Sequence, residues 1–148
     1  MADKTIPVRN MFEAWRRLDI DLLMDQLADD AVFENVPMDP IVGKEAIRAA
    51  CLAFMERCTS APWKVLNVAV SSTGAVLSER LDTFVLRDGS TAYIPAMGSY
   101  LVDDDNLVTR WRDYYDQADW NRQLRLDGDA GRGPGVFEAI KAEPSPES

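Results

Sequence analysis

The sequence predicts an α+β domain: a strongly curved antiparallel mixed sheet wrapped over N-terminal helices, with an enclosed pocket between the layers. Three observations predict it. Apolar residues recur at helical spacing in the first part of the chain and alternate with period two after Pro62. The alternating stretches are joined by Ser72-Thr73-Gly74, Asp88-Gly89 and Asp103-Asp104-Asp105-Asn106, turns short enough to make them antiparallel neighbours. The 148-residue chain, 47% hydrophobic and 28% charged, is long enough for one core and has the composition of a folded domain.

The elements follow in order. Residues 5–18 read as an amphipathic helix, with Met11, Phe12, Trp15 and Leu18 on one stripe and Pro7 in its first turn. Asp19 caps a second helix through Leu22, Leu23 and Leu27, ending near residues 29–30. Residues 31–36 form a short strand, with Phe33 and Asn35 on one face and Val32 and Glu34 on the other. A loop at 37–40 and Gly43 lead to a helix at 44–57, whose buried stripe is Ile47, Cys51, Phe54 and Met55. Strands follow at 63–71, 75–87, 90–102 and 107–117. Pro95 lacks the N–H of a ladder residue, so it calls for a bulge or an edge. A short helix at 118–126 closes the domain, taken as 1–126. A Gly- and Pro-rich tail, 127–148, follows, in which Val136, Phe137 and Ile140 could dock one helical turn.

Charge and composition exclude several functions. A net charge of −9 argues against a nucleic-acid partner. No apolar run approaches the ~20 residues that span a bilayer, and the N-terminus lacks the basic and apolar segments of a signal peptide. The expectation is a cytoplasmic protein with no membrane partner. The histidine count of zero rules out His-based triads and His-ligated metals, leaving acid–base work to Asp, Glu, Lys, Tyr or Cys. Cys51 and Cys58 sit seven residues apart on one expected helix, roughly 10 Å along its axis, too far to form a disulfide.

Ser78-Glu79-Arg80-Leu81-Asp82 and Trp111-Arg112-Asp113-Tyr114-Tyr115-Asp116 concentrate the chemistry. Strand alternation puts Arg80 and Asp82 on one face with Val76, Ser78 and Phe84, and Asp113 on one face with Trp111 and Tyr115. If both faces turn toward the helices, one guanidinium and two carboxylates share an apolar pocket. Such a network can keep one carboxyl protonated as an acid and the other ionised as a base. By spacing alone the same residues read more simply as a buried structural ion pair or as an outer, solvated face. Asn35 could hold a water or satisfy the strand exit before Pro37. Tyr93 and Tyr115 could donate a phenol or fill the core, while Trp15, Trp63 and Trp111 read as core. Glu34, Glu79 and Arg112 fall on the opposite faces, where outer salt bridges or a subunit contact are expected.

Phe33-Glu34-Asn35-Val36-Pro37-Met38, Glu79-Arg80-Leu81-Asp82 and Trp111-Arg112-Asp113-Tyr114-Tyr115-Asp116 together resemble the limonene-1,2-epoxide hydrolase family, from about residue 6 to 120. The resemblance implies the cone-shaped fold of nuclear transport factor 2, ketosteroid isomerase and the polyketide cyclases. It also implies a homodimer, no metal and no cofactor. Asp82 would protonate the oxygen of a small apolar epoxide, Asp113 would take a proton from water, and Arg80 would link them. Asn35 would help hold the water, and a vicinal diol would form in one step. The pocket candidates are Phe33, Met38, Phe54, Phe84, Met97 and Tyr115, with Met24. Phe33 departs from the family pattern, which places a water-holding tyrosine there. An epoxide-opening cyclase or isomerase, which needs no fixed water, is therefore the alternative enzyme, and a non-catalytic small-molecule-binding module is the alternative outside enzymes. A ketosteroid-isomerase-like reaction would want an acidic donor near Gly98, where none stands.

Overall fold

The computed structural model describes residues 2–124, 140 and 142–144, and among these the chain begins with helices packed on what becomes the inner face of a curved open sheet. Helix α1 (Thr5–Arg17) buries Val8, Met11, Phe12 and Trp15 and carries Arg16 and Arg17 in its last turn, where cations complement the helix dipole. Leu18, in the left-handed region at φ 51°, turns the chain, and Asp19 caps α2 (Ile20–Asp25) by accepting from the Leu22 N–H at 3.0 Å.

The helix expected to run to 29–30 stops at Asp25, and β1 (Leu27–Val36) begins four residues before the strand expected at 31. The cause is tertiary: the Val108 N–H donates to the Gln26 carbonyl at 2.8 Å, and Leu27 pairs with Val108. Pairing with a distant strand overrides the helix propensity of Leu27 and Ala28. A register shift between Leu27 and Val32 absorbs the irregular stretch.

Strand β2 (Ile41–Val42), between the expected loop at 37–40 and Gly43, pairs with β1. Gly43, at φ 94°, starts α3 (Lys44–Met55), a conformation that glycine adopts without strain. Helix α3 buries Ile47, Cys51 and Met55, while Phe54 is half-buried. It ends two residues early, because β3 (Cys58–Ser60) pairs with the end of β5 (Val76–Leu86). Strand β4 (Lys64–Val70) pairs with the start of β5. The meander of β5, β6 (Thr91–Val102) and β7 (Val108–Tyr114) is antiparallel, as its turn chemistry predicts, and β1 lies parallel to β7. The seven strands run β2-β1-β7-β6-β5-β3, with β4 also on β5.

Pro95 causes no bulge, since the β5–β6 register runs unbroken from Val76↔Tyr100 to Val85↔Thr91. It lies beyond the last β6–β7 pair, Met97↔Tyr114, where β6 is open on one side and a missing N–H is tolerated. There α4 (Gln117–Gln123), capped by Asp116, closes the edge. The Gln123 side chain accepts from the Tyr93 N–H at 2.6 Å and donates to its carbonyl at 2.7 Å, doing for Tyr93 what a neighbouring strand would do. The expected tail at 127–148 lies outside the described residues, apart from 140 and 142–144. Among the described residues no helix is long and apolar enough to cross a membrane.

Candidate active site

Alternation along β5 turns Val76, Ser78, Arg80, Asp82 and Phe84 inward, and every one of them is buried. On β7, Trp111 and Asp113 face the same interior. Strand β6 separates these two strands, so their side chains start roughly 10 Å apart. Gly98 closes that distance. It is the register partner of both Ser78 and Asp113, and its bare α-carbon leaves the space in which the side chains of β5 and β7 meet. The Tyr100 ring folds back over it: a Cβ on Gly98 would lie 2.3 Å from the Tyr100 hydroxyl and 2.8 Å from Asp113 Oδ1.

Arg80 occupies this space with no side-chain exposure. Its Nε and Nη2 donate to the two oxygens of Asp82, each at 2.9 Å, a bidentate pair. Its Nη1 donates to Ser78 Oγ at 3.0 Å, to Asp113 Oδ1 at 3.2 Å and to the Tyr100 hydroxyl, while Nη2 lies 3.2 Å from Asp113 Oδ2. The rings of Phe12 and Trp63 lie 5.2 and 5.1 Å from the guanidinium carbon. The Trp111 indole N–H donates to Asp113 Oδ2 at 3.0 Å, and Tyr100 hydrogen-bonds to the same carboxylate.

The electrostatics follow from one cation shared by two buried carboxyls. Burial opposes the charge of Arg80, yet Asp113 and Asp82 outweigh it and hold the guanidinium firmly protonated. Burial pushes the Asp82 carboxyl above the ordinary range; Arg80 pulls it back only in part, and Asp113 pushes it further up. Burial likewise raises Asp113, against the pull of Arg80 and the Trp111 N–H. Two buried negative charges against one positive charge favour keeping a single proton on the pair, which then titrates as a unit.

The pair opens onto a cavity of about 560 Å³ between the sheet, α1, α3 and α4. Phe33, Met38, Phe54, Phe84 and Tyr115 line it, and Asn35 joins Asp82 and Asp113 among its polar groups. Asn35 is the β1 register partner of Asp113 and makes no side-chain hydrogen bond to another described residue. Burial, with Asp113 and Asp82 nearby, pushes the Tyr115 phenol up to about 12, so it stays a donor.

Two pocket expectations fail. Met97 is 55% exposed on the outer face of the sheet, because the unbroken alternation through Pro95 turns Ile94, Ala96 and Gly98 inward instead. Met24 is buried in the core between helices and does not reach the cavity lining. Glu34 and Arg112 form the expected ion pair on the outer face, where Glu79 accepts from Asn67 at 2.8 Å. Tyr93 faces away from the cavity.

Sequence reasoning missed Ser78, Gly98 and Tyr100 as parts of this network, and it took Trp111 only as core. The signal for Tyr100 was present: Gly-x-Tyr along one strand face lets an aromatic ring cover the glycine. Gly98→Ala is accordingly expected to cost about 1–3 kcal/mol of stability by overpacking. Urea unfolding checks this; an unchanged midpoint would show that Tyr100 and Asp113 shift without penalty.

Cys51 also lines the cavity, but burial and the charge of Asp113 push its thiol up to about 12, so it is a poor nucleophile. Among the described residues no group of three or more His, Cys, Asp or Glu side chains is arranged to hold a metal ion.

Comparison with known proteins bears on the family and the fold. The family model described as the limonene-1,2-epoxide hydrolase catalytic domain matches residues 2–125. A Mycobacterium tuberculosis epoxide hydrolase of that type superposes with a TM-score of 0.70 at 24% identity, over 95% of this chain and 96% of that one. SalBIII, an epoxide hydrolase/cyclase-like enzyme in pyran ring formation of the polyether salinomycin, superposes with a TM-score of 0.71 at 14% identity, over 78% and 92%. An NTF2-like protein from Burkholderia pseudomallei does so with a TM-score of 0.70 at 14% identity, over 84% and 98%. At these identities the superpositions establish the fold, which is the NTF2-like one.

Proposed function

The chain belongs to the limonene-1,2-epoxide hydrolase family, and from that premise we propose that it adds water to a small apolar epoxide to give a vicinal diol without a cofactor. One observation carries the reading. A single guanidinium holds two buried carboxyls that face one apolar cavity, so an acid and a base can coexist at one pH. Asp82 gives its proton to the epoxide oxygen as the C–O bond breaks. Asp113 takes a proton from the attacking water, which Asn35 helps to orient, and Arg80 keeps the two carboxyls in place. The proton then returns from Asp113 to Asp82 before the next turnover.

A second reading rests on Phe33. Its ring stacks on Trp111 with 3.7 Å between centroids and offers no hydrogen bond to a water. An epoxide-opening cyclase or isomerase would use a nucleophile within its own substrate and has no need of one. Turnover of a panel of cyclic and terpene-like epoxides in heavy-oxygen water, followed by mass spectrometry, separates the two. A labelled diol supports hydrolysis, whereas epoxide consumed without label overturns it in favour of the cyclase.

Phe33→Tyr tests the same point from the protein side. One more hydrogen bond to the water, worth about 0.5–1.5 kcal/mol, is expected to raise hydrolysis roughly two- to tenfold. A decrease in steady-state turnover would argue that no water is held beside this ring.

Homodimerisation is part of the proposal. Leu77, Met97, Leu101 and Tyr114 are exposed on the outer face of the β5–β6–β7 meander, an apolar surface suited to a second copy. Sedimentation equilibrium is expected to give a dimer that Met97→Lys weakens; a monomeric wild type would remove the idea.

A further inference from the structure

The cavity is walled differently from the rest of the interior. Where the core is filled, it is filled largely by aliphatic side chains such as Val8, Leu23, Leu27, Val65 and Val108. Where it is open, eight of the eighteen lining residues are aromatic, all four tryptophans among them, and none of the described leucines or valines takes part. The rings are set at defined angles. Phe84 stands at 84° to Trp63, 88° to Phe54 and 86° to Trp120. Trp15 and Trp63 stack within 10° of parallel. Such rings have few rotatable bonds, so the cavity keeps flat walls in which faces and edges meet at right angles.

Resting on the hydrolase reading, we infer that the substrate is an aryl epoxide, with its aromatic ring on the carbon that water attacks. A flat ring can meet these walls face-on and edge-on at once, the two arrangements that aromatic quadrupoles favour. The site chemistry asks for the same class. Asn35 is the register partner of Asp113, while Phe33, on the same strand face as Asn35, offers a water no hydrogen bond, so the nucleophile receives less help at the base than a hydroxyl there would give. Ring opening then leans on C–O cleavage, and positive charge builds on the attacked carbon before the new bond is complete. An aryl substituent delocalises that charge, and the π faces of the stacked Phe33 and Trp111, one hydrogen bond from Asp113, are attractive to it. As Asp82 protonates the departing oxygen, water bonds to the benzylic carbon and loses its proton to Asp113. The sum is epoxide plus water to diol.

Phenyloxirane and cyclohexyloxirane share a skeleton and differ in ring saturation, so they form the test pair. The phenyl compound is expected to show at least about a tenfold advantage in kcat/KM beyond its advantage in acid-catalysed hydrolysis without protein. In heavy-oxygen water the label is expected at the benzylic carbon. Phe54→Leu and Trp120→Leu, which replace a flat wall by a branched aliphatic one, are expected to lower that ratio several-fold. Equal corrected rates, or label at the terminal carbon, would overturn the inference while leaving hydrolysis intact. If neither epoxide is consumed, the hydrolase reading fails, and tryptophan-fluorescence titration with phenylethanediol and cyclohexylethanediol tests the ligand class alone. Tighter binding of the phenyl diol upholds the aromatic preference, and equal binding ends it.

Discussion

Asp113→Asn is expected to lower epoxide turnover by about 10²–10⁴, the usual contribution of a positioned acid or base, while leaving the fold intact. Asparagine has nearly the same shape, and its carbonyl can still accept from the Trp111 indole that now donates at 3.0 Å. What it lacks is a site for the proton of the attacking water. Wild-type activity should follow a bell-shaped pH profile, rising as the base ionises and falling as the acid loses its proton. Burial raises both carboxyls above the ordinary 3.8, so the acidic limb should lie above that value. In the variant, this limb should flatten in whatever activity remains. Turnover within a few-fold of wild type, with an unchanged acidic limb, would place the base elsewhere.

Arg80→Met should have the largest effect on stability. Removing one partner of a buried ion pair typically costs about 3–5 kcal/mol, because it strands the charge left behind, and here two buried carboxyls lose their shared cation. The penalty should depend on pH in a definite direction. Without Arg80, the main force holding the carboxyls down is gone, so their folded-state values rise further above the unfolded value near 3.8. Between those values the folded state binds more protons than the unfolded state. Stability is then fully present below about 3.8 and is lost as pH rises through the folded-state values. Urea unfolding of wild type and variant at about pH 5 and about pH 8 should therefore show a larger deficit at the higher pH. Equal deficits, or a loss below about 1 kcal/mol, would mean that water or rearrangement solvates the carboxylates.

The elements legible in the sequence are those set by local chemistry. The Asp19 cap, the turns at Gly74, Gly89 and Asn106, and the helical stripe of α1 act over a few residues and stand where their spacing puts them. The elements misread are those decided at long range. Leu27 and Ala28 favour a helix by propensity, but pairing of Leu27 with Val108, far along the chain, makes this stretch strand. The short β2 and β3 exist because β1 and β5 offer them an edge. Met97 failed as a pocket residue because nothing local says whether a proline shifts a strand's alternation. Here β6 lacks a β7 partner beside Pro95, so no shift is required.

The sequence by itself determined which residues share a face. Period-two geometry is a property of any extended L-polypeptide, so Arg80 stands with Asp82 and Asp113 with Trp111 whatever the rest of the chain does. Only the tertiary structure decided that these faces meet. Strands β5 and β7 are not neighbours, and their side chains reach one another across β6 because Gly98 leaves that crossing open and Tyr100 fills it with a hydroxyl. That meeting depends on sheet order and on close packing, which are sums over contacts far apart in the chain.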